Sequence, residues 1–262
     1  MEMYRKYGPI VIETLPGRYS LVHLFSGADI QTLYEAEGKM PFRMGATAFK
    51  DYRLSRPDLY TDVGILNLQG KAWQKVRSCT QQHTMRVRTT MAYVPCFNTV
   101  ADDYLDLMEQ LMHEDGRLRD CELLLKRWAL EGVSLASFDQ RLGSLRNPLD
   151  TTSDAAAMLN DMVIAFRCMQ KFGYRFPYFR HLPSLLWPRF VEAMNDFMTR
   201  VYRRIEAAAE RFESSPEEHE PTILQHFLAD KKMNFKEILT FMGDFILAGV
   251  DTASGLIFPT YN

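Results

Sequence analysis

From Gly70 to near the end of the chain, apolar residues recur at spacings of three and four. That spacing lines one face of an α-helix. It predicts helices over 71–87, 95–113, 119–137, 152–172, 188–213, 221–231 and 235–257. In the second, Leu105, Leu107, Met108, Leu111 and Met112 form the expected apolar stripe. The last begins "NFKE", with Asn234 placed as N-cap and Glu237 at the third helical position, a capping-box start. Two segments break the rhythm. "KFGYRFPYFRHLPSLLWPRF", 171–190, holds three prolines and many aromatics, and "SSPEEHEP", 214–221, reads as an acidic, exposed loop.

The first quarter follows other periods. Ile10 to Thr14 and Tyr19 to Phe25 are short runs of β-formers on either side of the turn signal Pro16-Gly17, and they read as a hairpin. "GADIQTLYEAEG" reads as a short helix closed by Gly38. Residues 39–69 show no sustained period and predict a long irregular segment, the kind of loop that is often functional. The fold class expected is mainly α with a small N-terminal β-hairpin. One domain covers 1–262: hairpin plus short helix over 1–38, an irregular region over 39–70, and helices over 71–262.

Composition narrows the class. The 262 residues are 47% hydrophobic, enough for a large core, and the net charge of −2 implies neither nucleic acid nor an anionic membrane as a partner. Cys79, Cys96, Cys121 and Cys168 are scattered without a CxxC pair, which argues against a disulfide framework or a zinc site. "MEMYRKYGPI" has no signal-peptide core. Residues 238–257 are long enough for a membrane span, yet they contain Asp244 and Asp251. Each central Asp costs about 3 kcal/mol in a bilayer, so a buried helix is expected instead.

Two stretches suggest chemistry. In "GDFILAGVDTAS", 243–254, Ala248 and Gly249 have almost no side chain, so a flat ligand can lie close to the helix. Thr252 can bond its hydroxyl to the Ala248 carbonyl, and Asp251 is a carboxylate expected in apolar surroundings, able to deliver protons. A purely structural alternative has the small residues forming a helix crossing and Asp251 pairing with a distant base. In "GKAWQKVRSCTQQ", Trp73 and Arg77 are four apart on one helix face, and their N–H groups suit a carboxylate-bearing ligand. The alternative there is a packed Trp beside a snorkelling Arg.

Taken in order, an N-terminal hairpin, Trp-x-x-x-Arg, a run of helices and "AGVDTA" resemble the cytochrome P-450 family of haem-thiolate monooxygenases. The family's usual second alcohol after the threonine is replaced by Ala253, followed by Ser254. "EGKMPFR", 37–43, and "RLGSL", 141–145, look like the animal mitochondrial branch. The resemblance implies a haem cofactor held by Arg77 and Trp73, with Ala248 and Gly249 over its face. It implies that Thr252 hydrogen-bonds the reacting oxygen and that Asp251 relays protons. It implies substrate contacts from "LYTDVGIL", including Val63, Ile65 and Leu66, and an access lid around Phe176 to Trp187 that could touch a membrane. The reactants would be dioxygen and an apolar small molecule such as a sterol, lipid or xenobiotic. Electrons would come from a redox partner, a ferredoxin for the mitochondrial type. The compartment would be the mitochondrial inner membrane or the endoplasmic reticulum membrane.

The family's axial ligand is a cysteine in a Phe-x-x-Gly-x-Arg-x-Cys-x-Gly loop, and none of the four cysteines fits it, so no metal ligand is identifiable. The family's Glu-x-x-Arg helix is also not matched. The chain therefore reads as the N-terminal half of such a domain, ending just after the oxygen-binding helix. A different class stays open: a non-catalytic helical module that binds an apolar ligand or a partner.

Overall fold

The computed structural model describes residues 2–14, 20–44, 46–146, 150–172, 185–214 and 221–257; at 213–214 and 254–257 only the backbone is considered. A short helix α1 (Glu2–Tyr7) leads into β1 (Ile10–Thr14) and β2 (Ser20–Leu24), which pair antiparallel with Ile10 opposite Leu24 and Thr14 opposite Ser20. The hairpin is the one predicted; its Pro16-Gly17 turn lies outside the described residues. Helix α2 (Gly27–Ala36) follows, and Gly38 takes the left-handed conformation (φ +67°) that ends it.

The segment expected to be irregular contains a helix, α3 (Thr47–Leu54). Its eight residues are too few to show a period, and its formation is a tertiary effect. Ala48, Phe49 and Tyr52 are buried against the main core, with Phe49 and Tyr52 edge-on to Phe190. Arg53 is buried beside them. A second helix not predicted as separate, α5 (Val87–Ala92), sits between α4 (Gly70–Thr84) and α6 (Val94–Leu111).

The other predicted helices form within a few residues of their expected ends: α7 (Cys121–Phe138), α8 (Asp154–Phe172), α9 (Leu186–Ser214), α10 (Ile223–Asp230) and α11 (Phe235–Ile257). The apolar stripe of α6 differs from expectation. Val100, Tyr104, Leu107 and Leu111 turn inward onto Leu124 and Leu145, whereas Leu105 and Met112 are exposed. The inward set keeps the strict 4-3-4 spacing of one helix face, and Leu105 falls off it.

Helix α11 runs through the core. Ile238, Leu239, Met242, Ile246, Leu247 and Val250 are buried among residues of α7, α9 and α10. Each such side chain contributes about 1.5–3 kcal/mol by leaving water, which is why this apolar helix is central. No helix among the described residues is long and apolar enough to cross a membrane. The predicted capping box is present: Glu237 N–H donates to Asn234 Oδ1 (2.9 Å) and Asn234 N–H to Glu237 Oε2 (2.8 Å). Lys75 donates to Glu237 at 2.9 Å, fastening α4 to the start of α11.

Candidate functional site

The polar notch of α11 is built as the chemistry of its residues requires. Thr252 Oγ1 donates to the Ala248 carbonyl at 2.6 Å, the bond expected four residues back. Because they are one turn apart, Ala248 and Thr252 share a face, and that face is exposed. Gly249 points elsewhere. A Cβ added there would lie 3.3 Å from Val133 Cγ2 on α7, so the glycine lets the two helices approach closely.

Asp251 differs from expectation. Its side chain is 39% exposed rather than enclosed by apolar groups, and its Oδ1 lies 3.5 Å from Lys126 Nζ of α7. Lys126 also donates to Glu122 at 2.7 Å. One ammonium therefore bridges two carboxylates at the mouth of the α7–α11 crossing. The small residues thus serve a helix crossing on one side and leave a bare strip of backbone on the other.

On α4, Trp73 and Arg77 stand one turn apart beside the buried positions Val76 and Thr80. Both are half-buried, and neither side chain makes a hydrogen bond or ion pair among the described residues. A partly desolvated guanidinium with free donors is a receptor for an anionic group. Among the described residues, no bond or ion pair joins this pair to the α11 strip; α4 reaches α11 through Lys75 and Glu237. Val63, Ile65 and Leu66 divide. The Val63 carbonyl accepts from Arg53 Nη1 at 2.7 Å, Ile65 packs on the core, and Leu66 is 44% exposed. The predicted lid falls largely outside the described residues, although Trp187 packs on Phe172 and Phe190.

These features fit a haem. Arg77 has donors to spare for a propionate, and the Ala248–Thr252 strip presents only small groups to a flat face. All four cysteines are free: Cys79, Cys96 and Cys121 are half-buried and Cys168 is buried. The Cys96 and Cys121 thiols donate to the carbonyls of Tyr93 (2.9 Å) and Leu118 (3.2 Å).

Two polar networks escaped sequence reasoning. Arg53 of α3 and Asp244 of α11 form a buried, two-pronged ion pair. Glu131 of α7, fully buried, accepts from Gly143 N–H (3.0 Å), Ser144 N–H (2.9 Å), Ser144 Oγ (2.6 Å) and Arg141 Nε (2.8 Å). Burial pushes the Glu131 carboxyl up, but the bonds from Ser144 and Arg141 outweigh it and hold the group below the usual carboxylate range. The stretch "RLGSL" is therefore a carboxylate-binding turn. "EGKMPFR" closes on itself likewise, with Arg43 Nη2 donating to Glu37 Oε2 at 2.9 Å.

Comparison with known proteins gives the family. The family model described as Cytochrome P-450 matches residues 1–258. A protein named "Probable cytochrome P-450 301a1, mitochondrial" from Drosophila melanogaster is 29% identical over 96% of this chain and 47% of its own length. "Ecdysone 20-monooxygenase" of Drosophila melanogaster is 28% identical over 98% of this chain and 49% of its own. "1,25-dihydroxyvitamin D(3) 24-hydroxylase, mitochondrial" of Mus musculus is 28% identical over 100% of this chain and 49% of its own. The chain spans about half the length of the curated relatives it matches.

Proposed function

The chain belongs to the cytochrome P-450 family, and from that premise we propose that it is the amino-terminal half of a haem-dependent monooxygenase domain. The whole protein would insert one oxygen atom of dioxygen into an apolar substrate. The family match over residues 1–258 carries the reading. Relatives named as a monooxygenase and a hydroxylase support the reaction class. Relatives named as mitochondrial support a ferredoxin as electron donor.

Haem, when bound, supplies the oxidising chemistry. This chain's residues orient and meter it. Arg77, with Trp73 beside it, holds a propionate through its unused N–H donors. Ala248 keeps the helix face low, so dioxygen and substrate have room beside it. Thr252 directs its own proton to the Ala248 carbonyl, which leaves the lone pairs of Oγ1 facing outward as acceptors. Asp251 holds a carboxylate at the surface within reach of solvent, and Lys126 keeps it oriented. There Asp251 would take up and relay protons. Val63, Ile65 and Leu66 would meet the substrate.

The test is spectroscopic. Haem is added to the chain, reduced under carbon monoxide, and the Soret difference spectrum recorded. A strongly red-shifted thiolate-type band would mean that one of Cys79, Cys96, Cys121 or Cys168 ligates iron. Haem binding without that band, weakened at least tenfold by Arg77→Ala and by Ala248→Phe, would mean that the chain holds the face and the propionate while the thiolate is supplied elsewhere. Haem affinity indifferent to both substitutions would sink the assignment of Arg77 and Ala248.

A further inference from the structure

A groove of about 320 Å3 opens where the carboxy-terminal half of α9 passes the first residue of α11, lined by Tyr202, Glu206, Ala209, Glu210 and Phe235. Nothing in the monooxygenase reading uses it. The rings of Tyr202 and Phe235 stand at 80° with their centroids 5.6 Å apart, so they form two walls of a corner. Tyr202 and Glu206 are one helical turn apart, as are Glu206 and Glu210, which sets carboxylates along the same side. Ala209 adds little bulk to the lining.

Phe235 is 40% exposed, while the other large apolar side chains described on α11 are buried or half-buried. The carboxylates of Glu206 and Glu210 belong to the groove's lining. The Tyr202 phenol is bonded to Glu206, which pushes its pKa up and keeps it neutral beside the carboxylate.

Aromatic faces attract cations, and a pair of faces set at right angles surrounds a bulky one best. A carboxylate beside them supplies the countercharge. Small inorganic cations are too strongly hydrated to use ring faces, whereas N-methylated ammonium groups present apolar, positively charged methyls. We propose that the Tyr202–Phe235 corner binds an N-methylated ammonium group, with the rings contacting the methyls and Glu206 balancing the charge. The same chemistry is carried by free choline-like cations and by the headgroup of phosphatidylcholine. The assignment is independent of haem and of the reaction.

The experiment is saturation-transfer NMR on the full 262-residue chain with choline at pH 7. Transfer to the N-methyl protons is expected in the wild type, at least fivefold weaker in Phe235→Ala and in Glu206→Gln. Both positions are exposed, and the melting temperature of each variant verifies folding. Choline's neutral isostere, 3,3-dimethyl-1-butanol, is expected to show at least fivefold less transfer. Absence of transfer to wild type, equal transfer in both folded variants, or equal transfer to the neutral isostere would each overturn the proposal. Given choline binding, sedimentation with phosphatidylcholine vesicles that Phe235→Ala and Glu206→Gln abolish assigns the lipid headgroup as source. Sedimentation that is absent, or that both variants retain, assigns the free cation.

Discussion

Arg53 and Asp244 lie 191 positions apart in sequence, and their side chains, 1% and 3% exposed, face each other in the core. Arg53 Nη1 reaches Asp244 Oδ2 at 3.2 Å and the Val63 carbonyl at 2.7 Å, while Nη2 takes the other carboxylate oxygen. One guanidinium thus pins helix α3, the 59–69 segment and helix α11 together. Two ions removed from water gain little net stability, but breaking the pair leaves one buried charge alone. Arg53→Met or Asp244→Leu singly should each cost about 3–5 kcal/mol. The double variant should cost clearly less than the two summed. Urea unfolding of the four proteins gives the coupling, and additive losses would show that the pair is not an energetic unit.

Gly64 belongs to the same knot. Its φ of +74° suits glycine, and a Cβ there would lie 2.0 Å from Arg53 Nη1 and 2.8 Å from Asp244 Oδ2. Gly64→Ala combines backbone strain with displacement of a buried ion pair. It should destabilise by at least about 3 kcal/mol, more than the roughly 1 kcal/mol of left-handed strain alone. In an Arg53→Met/Asp244→Leu background the added cost should shrink toward the strain alone. A loss unchanged in that background, read by thermal unfolding, would separate Gly64 from the pair.

Much of this architecture was legible from periodicity. The long helices announce themselves because each packs one continuous face, and α11 carries its N-terminal signal in Asn234 and Glu237. The Thr252-to-Ala248 bond was legible too, because it follows from spacing alone. What could not be read was set by distant contacts. Helix α3 is eight residues long and exists because Tyr52 and Arg53 find partners well over a hundred residues away. Asp244 was visible only as a charge too costly for a membrane, with no local sign of its partner. Asp251 drew attention as an acid expected in apolar surroundings, yet its side chain is 39% exposed and lies against Lys126. Helix periodicity gives the face of a residue, while burial depends on what crosses that face.

Glu131 supplies a further test. All its described partners are donors: two backbone N–H groups, a hydroxyl and a guanidinium. Glu131→Gln keeps the shape but turns one acceptor into an NH2 group that faces other donors. The expected cost is about 2–4 kcal/mol. Its folded pKa lies below that of an unfolded glutamate, so its stabilisation is full above the unfolded value, about 4.3, and is lost as pH falls through the folded value. The gap between wild type and variant should therefore narrow in acid. A gap independent of pH between 7 and 3 would mean that the carboxylate charge is not what the turn binds.

Asp161 behaves in the opposite sense. It sits on α8 with its side chain 11% exposed, bonded to Arg200 Nη1 at 2.7 Å. Burial raises its pKa to about 6; Arg200 lowers it, and the neighbouring charges of Asp196, Asp154 and Glu192 raise it. The folded protein then binds a proton more readily than the unfolded chain, whose aspartate titrates near 3.9. The contribution is fully present below about 3.9 and is lost as pH rises through about 6. At pH 7 wild type holds a charge that the fold disfavours, and Asp161→Asn does not. The stability of Asp161→Asn minus that of wild type should rise by about 1–3 kcal/mol between pH 4 and pH 7. Charge pairing with Arg200 exists only while Asp161 is ionised, and its lowering effect is already contained in the value of about 6. Chemical unfolding at pH 4, 5, 6 and 7 measures it, and a difference that stays flat or falls with pH would show that the Arg200 bond, not burial, governs this carboxyl.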